Sequence, residues 1–352
     1  MARKIKTQSF DRGVRFLNPA QVGGIETSVL DNGPGRLVRI AWVNTGSPLR
    51  YKVVIDRGLD IAEACYAQHS LAYLSLTGTT PPSRALDEGL DWLWGFFGGL
   101  LCSCGPQHVG APEADGGARY GLHGTHSNTP AALDIVCQPD PAAGVDTMSL
   151  TGTVRTARHF GPNVELTRTI RSVLGQPMIH VHDTFLNRGN TPARHAWLLH
   201  INLGWPLLDE GARIIYRGEV TPRPDSTAWF ADPRKYRIVP APVAEHAGAG
   251  EAVAFVNPPA DEEGNCHVGL VNEKLGLGLE IKYPRENFPR LANWHHFGPG
   301  GEYVMGLEPL SGGMGCGVGV GRLEPGQVRE YDCTMTVLAE PQALKDFARK
   351  WG

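Results

Sequence analysis

The sequence predicts an all-β protein, a large antiparallel β-sandwich with few short helices. Two observations carry that expectation. The 352 residues include 44 Gly and 27 Pro, above an ordinary usage of about 7% and 5%, with neither a repeat period nor a low-complexity tract. Turn residues also recur wherever segments of two-residue period stop, as a meander of antiparallel strands requires. Helical periodicity is scarce. Its clearest case is the C-terminus, where Pro341 suits a first helical position and Leu344, Phe347 and Trp351 share a face.

The strand rhythm is plainest in the middle of the chain. Val164 to Val173 reads as a strand, Leu174-Gly175-Gln176-Pro177 as a turn, and Met178 to Leu186 as a second strand. Asn187-Arg188-Gly189-Asn190 makes another turn, and His195 to Trp205 a third strand. Thr79 to Gly89 reads as a loop over the sheet edge. No Pro/Ser-rich linker and no internal repeat divides the chain, so one domain over residues 1–352 is expected.

Composition excludes several classes. The net charge is -3, and the one small cluster of cations, Arg3, Lys4 and Lys6, is too short for a phosphate-neutralising stripe. No nucleic-acid partner is expected. The first residues, Met1 to Gln8, are polar with no apolar run behind them, and the most apolar stretch, Trp92 to Cys102, is short and Gly-containing. No membrane partner is expected either. Seven irregularly spaced cysteines do not make a secreted disulfide framework, and Cys102-Ser103-Cys104 is not a CxxC motif. A cytoplasmic location follows as the expectation. Walker A, dinucleotide-binding, His-Glu-x-x-His and Gly-x-Ser-x-Gly motifs are absent, and the alternating Gly315, Gly317, Gly319 and Gly321 lack dinucleotide spacing.

Strand alternation places two polar groups on one kind of face. In His195 to Trp205 the odd positions Trp197, Leu199, Ile201 and Leu203 are apolar and suit an inter-sheet core, which turns His200, Asn202 and Gly204 the other way. In Tyr303 to Leu310, Tyr303, Met305 and Leu307 share one side and Val304, Gly306 and Glu308 the other. A His and a Glu thus stand opposite apolar stripes, beside glycines that leave room for a ligand. The bland alternative is the ordinary polar outer face of an antiparallel sheet.

Local motifs in order go further. Leu199-His200-Ile201-Asn202-Leu203-Gly204, Tyr303-Val304-Met305-Gly306-Leu307-Glu308-Pro309 and Gly121-Leu122-His123-Gly124 resemble motifs of the aldose 1-epimerase (galactose mutarotase-like) superfamily. Asp56-Arg57-Gly58-Leu59-Asp60-Ile61 and Phe97-Gly98-Gly99-Leu100-Leu101 resemble its domain-of-unknown-function 4432 branch. The matches span roughly residues 50 to 310. The form departs from true galactose mutarotases in that Ile201 and Asn202, not aromatics, follow the histidine.

The resemblance implies the supersandwich fold and a sugar mutarotase or related epimerase, with Glu308 as general base and His200 as general acid. Opening a hemiacetal ring removes a proton from the C1 hydroxyl and adds one to the ring oxygen, so two groups tuned toward neutrality must flank one carbon. Substrate-binding roles are expected for Arg57, Asp60, His123, His126, Asn202 and Trp294. Arg57 can equally be a structural ion pair, the histidines loop contacts, and Trp294 a core residue. Trp92, Trp94 and Phe96 are candidates for a pocket wall or for core. The expected partner is a monosaccharide or sugar derivative, with a homodimer as a candidate assembly and no cofactor. Two other functions stay open: a metal-assisted sugar isomerase in which His123, His126, His200 and Glu308 converge, and a non-catalytic carbohydrate-binding protein.

Overall fold

The computed structural model describes residues 16, 18–115 and 117–352; Arg3, Lys4, Lys6 and the polar start Met1 to Gln8 lie outside them. Three antiparallel sheets dominate. An eight-stranded sheet runs, edge to edge, through Arg213–Ile215, Asn265–Asn272, Leu277–Pro284, Val328–Leu338, Met178–Asn187, Asn163–Val173, Thr147–Ala157 and Ala131–Cys137. A six-stranded sheet runs through Glu219–Pro222, Ala252–Asn257, Arg290–Phe297, Tyr303–Leu310, Leu198–Leu203 and Cys102–Cys104. A five-stranded meander, Gly24–Val29 to His69–Ser70, completes the layers.

The alternation seen in the sequence builds these strands. In Met178–Asn187 every second residue, Ile179, Val181, Asp183 and Phe185, is buried. The preceding strand pairs with it from Val164 opposite Asn187 to Arg171 opposite His180. Gly175 sits in the connecting turn at φ 82, a left-handed conformation that favours glycine. One apolar core takes residues from all three sheets, among them Val43, Ile61, Leu166, Val181, Ile201 and Leu307. The C-terminal helix, Pro341–Trp351, lays Leu344 and Phe347 against Ile215 and Val271, and Trp351 stacks on His267 at 4.1 Å.

The expected third strand is two strands. Ala193–His195 pairs with Gly321–Leu323, and Leu198–Leu203 belongs to the six-stranded sheet. The break falls at Ala196 and Trp197. Trp197 is fully buried, its amide donates to Ser311 Oγ at 2.8 Å and its indole Nε1 donates to Asp183 at 3.0 Å. The ring thus reaches across the core to the eight-stranded sheet and turns the chain from one ladder to the next.

Asp183 belongs to a buried charge cluster. Arg168 bonds both Asp183 oxygens at 2.7 and 2.8 Å, Asp60 at 2.7 Å and Ser103 Oγ at 2.8 Å. Asp60 comes from the five-stranded sheet, Arg168 and Asp183 from the eight-stranded one, and Ser103 from the six-stranded one. A guanidinium with four bonds to three side chains satisfies the desolvation demand of its two carboxylates while tying three layers to one point.

Candidate active site

Parity in the six-stranded sheet sorts its residues onto two faces. Trp197, Leu199, Ile201, Met305, Leu307, Leu291 and Phe297 join the large core. The alternate positions Cys102, Cys104, Leu198, Ala292, Val253, Phe255 and Leu310 form a second apolar cluster on the opposite face, with Trp92, Phe96 and Trp294 packed into it. His200 and Glu308 stand on that second face.

The two groups meet. His200 Nε2 is 3.4 Å from Glu308 Oε1, with 5% and 2% of each residue exposed. Oε1 has no hydrogen-bond partner among the described residues, so the contact leaves a buried carboxyl oxygen that calls for an explanation. Burial moves the two groups in opposite directions. It pushes the Glu308 carboxyl well above its ordinary range, with Glu251 adding a like charge, and lowers the His200 imidazole to about 4.

Aromatic rings enclose the pair. The His200 ring centre lies 5.3 Å from Trp294, 5.6 Å from Phe96, 5.6 Å from His123 and 6.5 Å from Trp92. Trp92 and Phe96 stack on each other at 4.8 Å and arrive on the short helix Asp91–Gly95 and the residue after it. Trp294 is only partly buried and its Nε1 donates to Glu251 at 2.8 Å. Glu251 in turn pairs with Arg223 at 2.8 Å.

Of the expected binding residues, His123 and Trp294 stand beside the His200–Glu308 pair. The polar groups of Arg57, Asp60, His126 and Asn202 are engaged in contacts within the protein. Arg57 is buried and donates to the carbonyls of Ser127, Gly95 and Thr80, so its guanidinium fastens the 80–95 segment. Asp60 is committed to Arg168 and to the Ser103 amide at 2.9 Å, and burial lifts its carboxyl to about 6. His126 Nε2 bonds the Gly58 carbonyl at 3.0 Å and its ring stands edge-on to Trp197, which removes it from any metal set with His200. Asn202 spends its amide on the carbonyls of Gly98, Gly99 and His200. Among the described residues no group of three or more His, Cys, Asp or Glu is placed to hold a metal ion.

The expected room beside glycines is filled by the protein itself. A Cβ at Gly204 would meet the Tyr73 backbone at 2.5 Å, and one at Gly306 would meet Glu308 Oε1 at 2.2 Å. Gly306 is therefore the floor on which the carboxylate lies. Trp94, offered as a wall, is 75% exposed. Sequence reasoning missed Glu251 and Arg168. Arg168 was signalled by its place in the stripe Val164, Leu166, Arg168, Ile170, where a cation interrupts a buried face.

The described residues contain no helix long and apolar enough to cross a membrane. No curated protein matches the chain. Among solved structures, a candidate aldose 1-epimerase from Klebsiella pneumoniae is similar at TM-score 0.82 and 23% identity, covering 93% of this chain and 86% of that one. A galactose mutarotase-like protein from Clostridium acetobutylicum is similar at TM-score 0.60 and 10% identity, covering 91% and 100%. A galactose mutarotase related enzyme from Lactobacillus acidophilus is similar at TM-score 0.54 and 12% identity, covering 83% and 95%. These likenesses establish the galactose mutarotase-like fold. The family described as Domain of unknown function (DUF4432) matches residues 35–336, and the chain belongs to it.

Proposed function

We propose that the protein is a carbohydrate-active isomerase, an aldose 1-epimerase or a related sugar epimerase, working by general acid–base chemistry at His200 and Glu308. The observation that carries this is their buried 3.4 Å contact with an unsatisfied carboxyl oxygen. Two titratable groups whose surroundings push them apart are the usual mark of an acid–base pair.

The pair carries one titratable proton. Burial favours the uncharged arrangement, with that proton on Glu308 and a neutral imidazole. Moving it to His200 gives the carboxylate base and imidazolium acid that ring opening needs. Glu308 takes the proton from the C1 hydroxyl, the C1–ring-oxygen bond breaks as C1 becomes a carbonyl, and His200 delivers its proton to the ring oxygen. After rotation about C1–C2 the transfers reverse and the ring closes on the other face. The hydroxyl dipoles of a sugar favour the charged arrangement over the uncharged one, so substrate itself primes the pair.

Trp294, Phe96 and Trp92 supply apolar surface for the C–H faces of the ring, and His123 a further hydrogen-bonding group. The test is a panel of free sugars read by saturation-transfer NMR, which reports binding and anomer exchange together. Exchange that disappears in Glu308→Gln supports the proposal. Binding without exchange in the unaltered protein leaves a carbohydrate-binding module in its place.

A further inference from the structure

A cavity lies apart from the His200–Glu308 pair. About 420 Å³ in volume, it is lined by Tyr73, Leu74, Trp205, Asp209, Gly301 and Tyr303, among others. That volume lies within the range of small-ligand sites. Its position is fixed by the strand it shares with Glu308. Tyr303 and Glu308 are five residues apart in Tyr303–Leu310, about 17 Å at the rise of an extended strand. They also project to opposite faces. The cavity therefore sits at the end of the six-stranded sheet, outside the His200 cluster.

Its wall is unusual for surface. Trp205 is 68% exposed and Leu74 54% exposed, although tryptophan is among the side chains proteins cover most fully on average. Trp205 is held there from behind: Gly204 packs so tightly on Tyr73 that even a Cβ would meet backbone at 2.5 Å. Gly301 faces open space, with no atom within 4 Å of an added Cβ, and leaves bare backbone on that side. Asp209 is half-buried, and its Oδ1 accepts from the Glu210 amide at 2.9 Å, which fixes the carboxylate at the rim. Burial, with Asp209 and Glu210 nearby, keeps the Tyr303 phenol in its protonated form.

We infer that this cavity is a second, non-catalytic binding site for an uncharged saccharide. The exposed indole offers a flat apolar platform for the C–H face of a pyranose. The Asp209 carboxylate accepts hydrogen bonds from its hydroxyls. The acidic rim disfavours phosphorylated or uronate sugars, because a second negative charge would meet Asp209 and Glu210. A purely apolar ligand would make no use of the carboxylate.

The experiment uses the full chain and the methyl glycosides of glucose and galactose, whose locked anomeric centres cannot be turned over, with cyclohexanol as an apolar probe. The Trp205 indole signal in a nitrogen–proton NMR spectrum is followed on titration in the unaltered protein, Asp209→Asn and Glu308→Gln, and the backbone amide signals of Leu74 and Gly301, which also line the cavity, are followed in all of these and in Trp205→Ala. The expected result is saturable movement of that signal with at least one glycoside and not with cyclohexanol. The same movement is expected in Glu308→Gln. Binding should weaken at least about tenfold in Trp205→Ala, as truncation of a central aromatic anchor does, and by less in Asp209→Asn. Because the indole is exposed, Trp205→Ala should keep its thermal unfolding midpoint and its sugar exchange rate. The inference fails if neither glycoside moves the Trp205 signal, if cyclohexanol moves it as well as they do, or if Trp205→Ala binds them as tightly as the unaltered protein. None of these outcomes depends on whether His200 and Glu308 turn over a sugar.

Discussion

His200 Nε2 and Glu308 Oε1 touch at 3.4 Å inside an aromatic enclosure, and neither side chain has appreciable contact with solvent. Each belongs to a different strand of the six-stranded sheet, adjacent in the ladder, with Ile201 paired to Leu307 between them. The contact is thus set by strand register and not by loop placement, which holds the two side chains to fixed positions.

Removing either member should abolish the shared proton. Glu308→Gln and His200→Ala are each expected to slow anomer interconversion at least about a hundredfold, the lower range of general acid–base contributions. Polarimetry or NMR exchange on a responsive sugar measures it. Rates near those of the unaltered protein would take both residues out of the chemistry.

Glu308→Gln should also change how stability depends on pH. The folded-state carboxyl is raised above its ordinary 4.5, so the folded chain holds a proton that the unfolded chain releases. That contribution is complete below 4.5 and is lost as pH rises toward the folded value. Gln carries no such penalty. The variant should therefore gain thermal midpoint relative to the unaltered protein as pH rises from 4.5 to 8. A difference independent of pH would show that Glu308 is not buried as an acid.

The histidines act in the other direction. Burial lowers His195 and His295 to about 3 and His200 to about 4, and takes His123 and His126 well below the ordinary 6.5. All five are neutral in the fold and charge when it opens. Their stability contribution is complete above 6.5 and falls as pH drops toward 4 and below. Denaturant midpoints should decline steeply across that window, with proton uptake on unfolding. A flat profile from pH 7 to 4 would contradict these placements.

Arg168→Met should leave Asp60 and Asp183 buried without their cation. Breaking such a pair from one side costs about 3–5 kcal/mol, and urea unfolding measures it. A loss below about 1 kcal/mol would mean that water reaches the cluster, since exposed pairs contribute no more than that.

Gly306→Ala separates position from chemistry. Its Cβ would stand 2.2 Å from Glu308 Oε1, so the carboxylate must shift. Overpacking of this kind costs roughly 1–3 kcal/mol. Exchange should fall more than stability does, with binding of a locked glycoside at the pair reduced. Unchanged exchange would show that the observed carboxylate position is not the working one.

Much of this was legible from residue order. Two-residue alternation placed His200 and Glu308 on one face because strand geometry leaves no other choice. The hairpin 163–187 was legible because its turn residues are specific. The role of Arg57 was not, because three of its acceptors are backbone carbonyls from segments distant in sequence, and a carbonyl has no identity in sequence. The split at Ala196 escaped because the apolar pattern continues through it, while a change of sheet depends on where the indole of Trp197 finds its acceptor. Asp183 and Arg168 lay within reach, since both interrupt apolar stripes and they pair directly across the ladder.

The sheet change at Ala196 and Trp197 bears on how a sugar would reach the proposed site. Leu198–Leu203 is gripped by ladder neighbours on both edges, and Trp197 pins its start to the far sheet. The floor beneath His200 is thus braced on both edges, and an opening onto the proposed site is expected in the roof. The roof is the short turn bearing Trp92 and Phe96, hung from Arg57 by the Gly95 carbonyl.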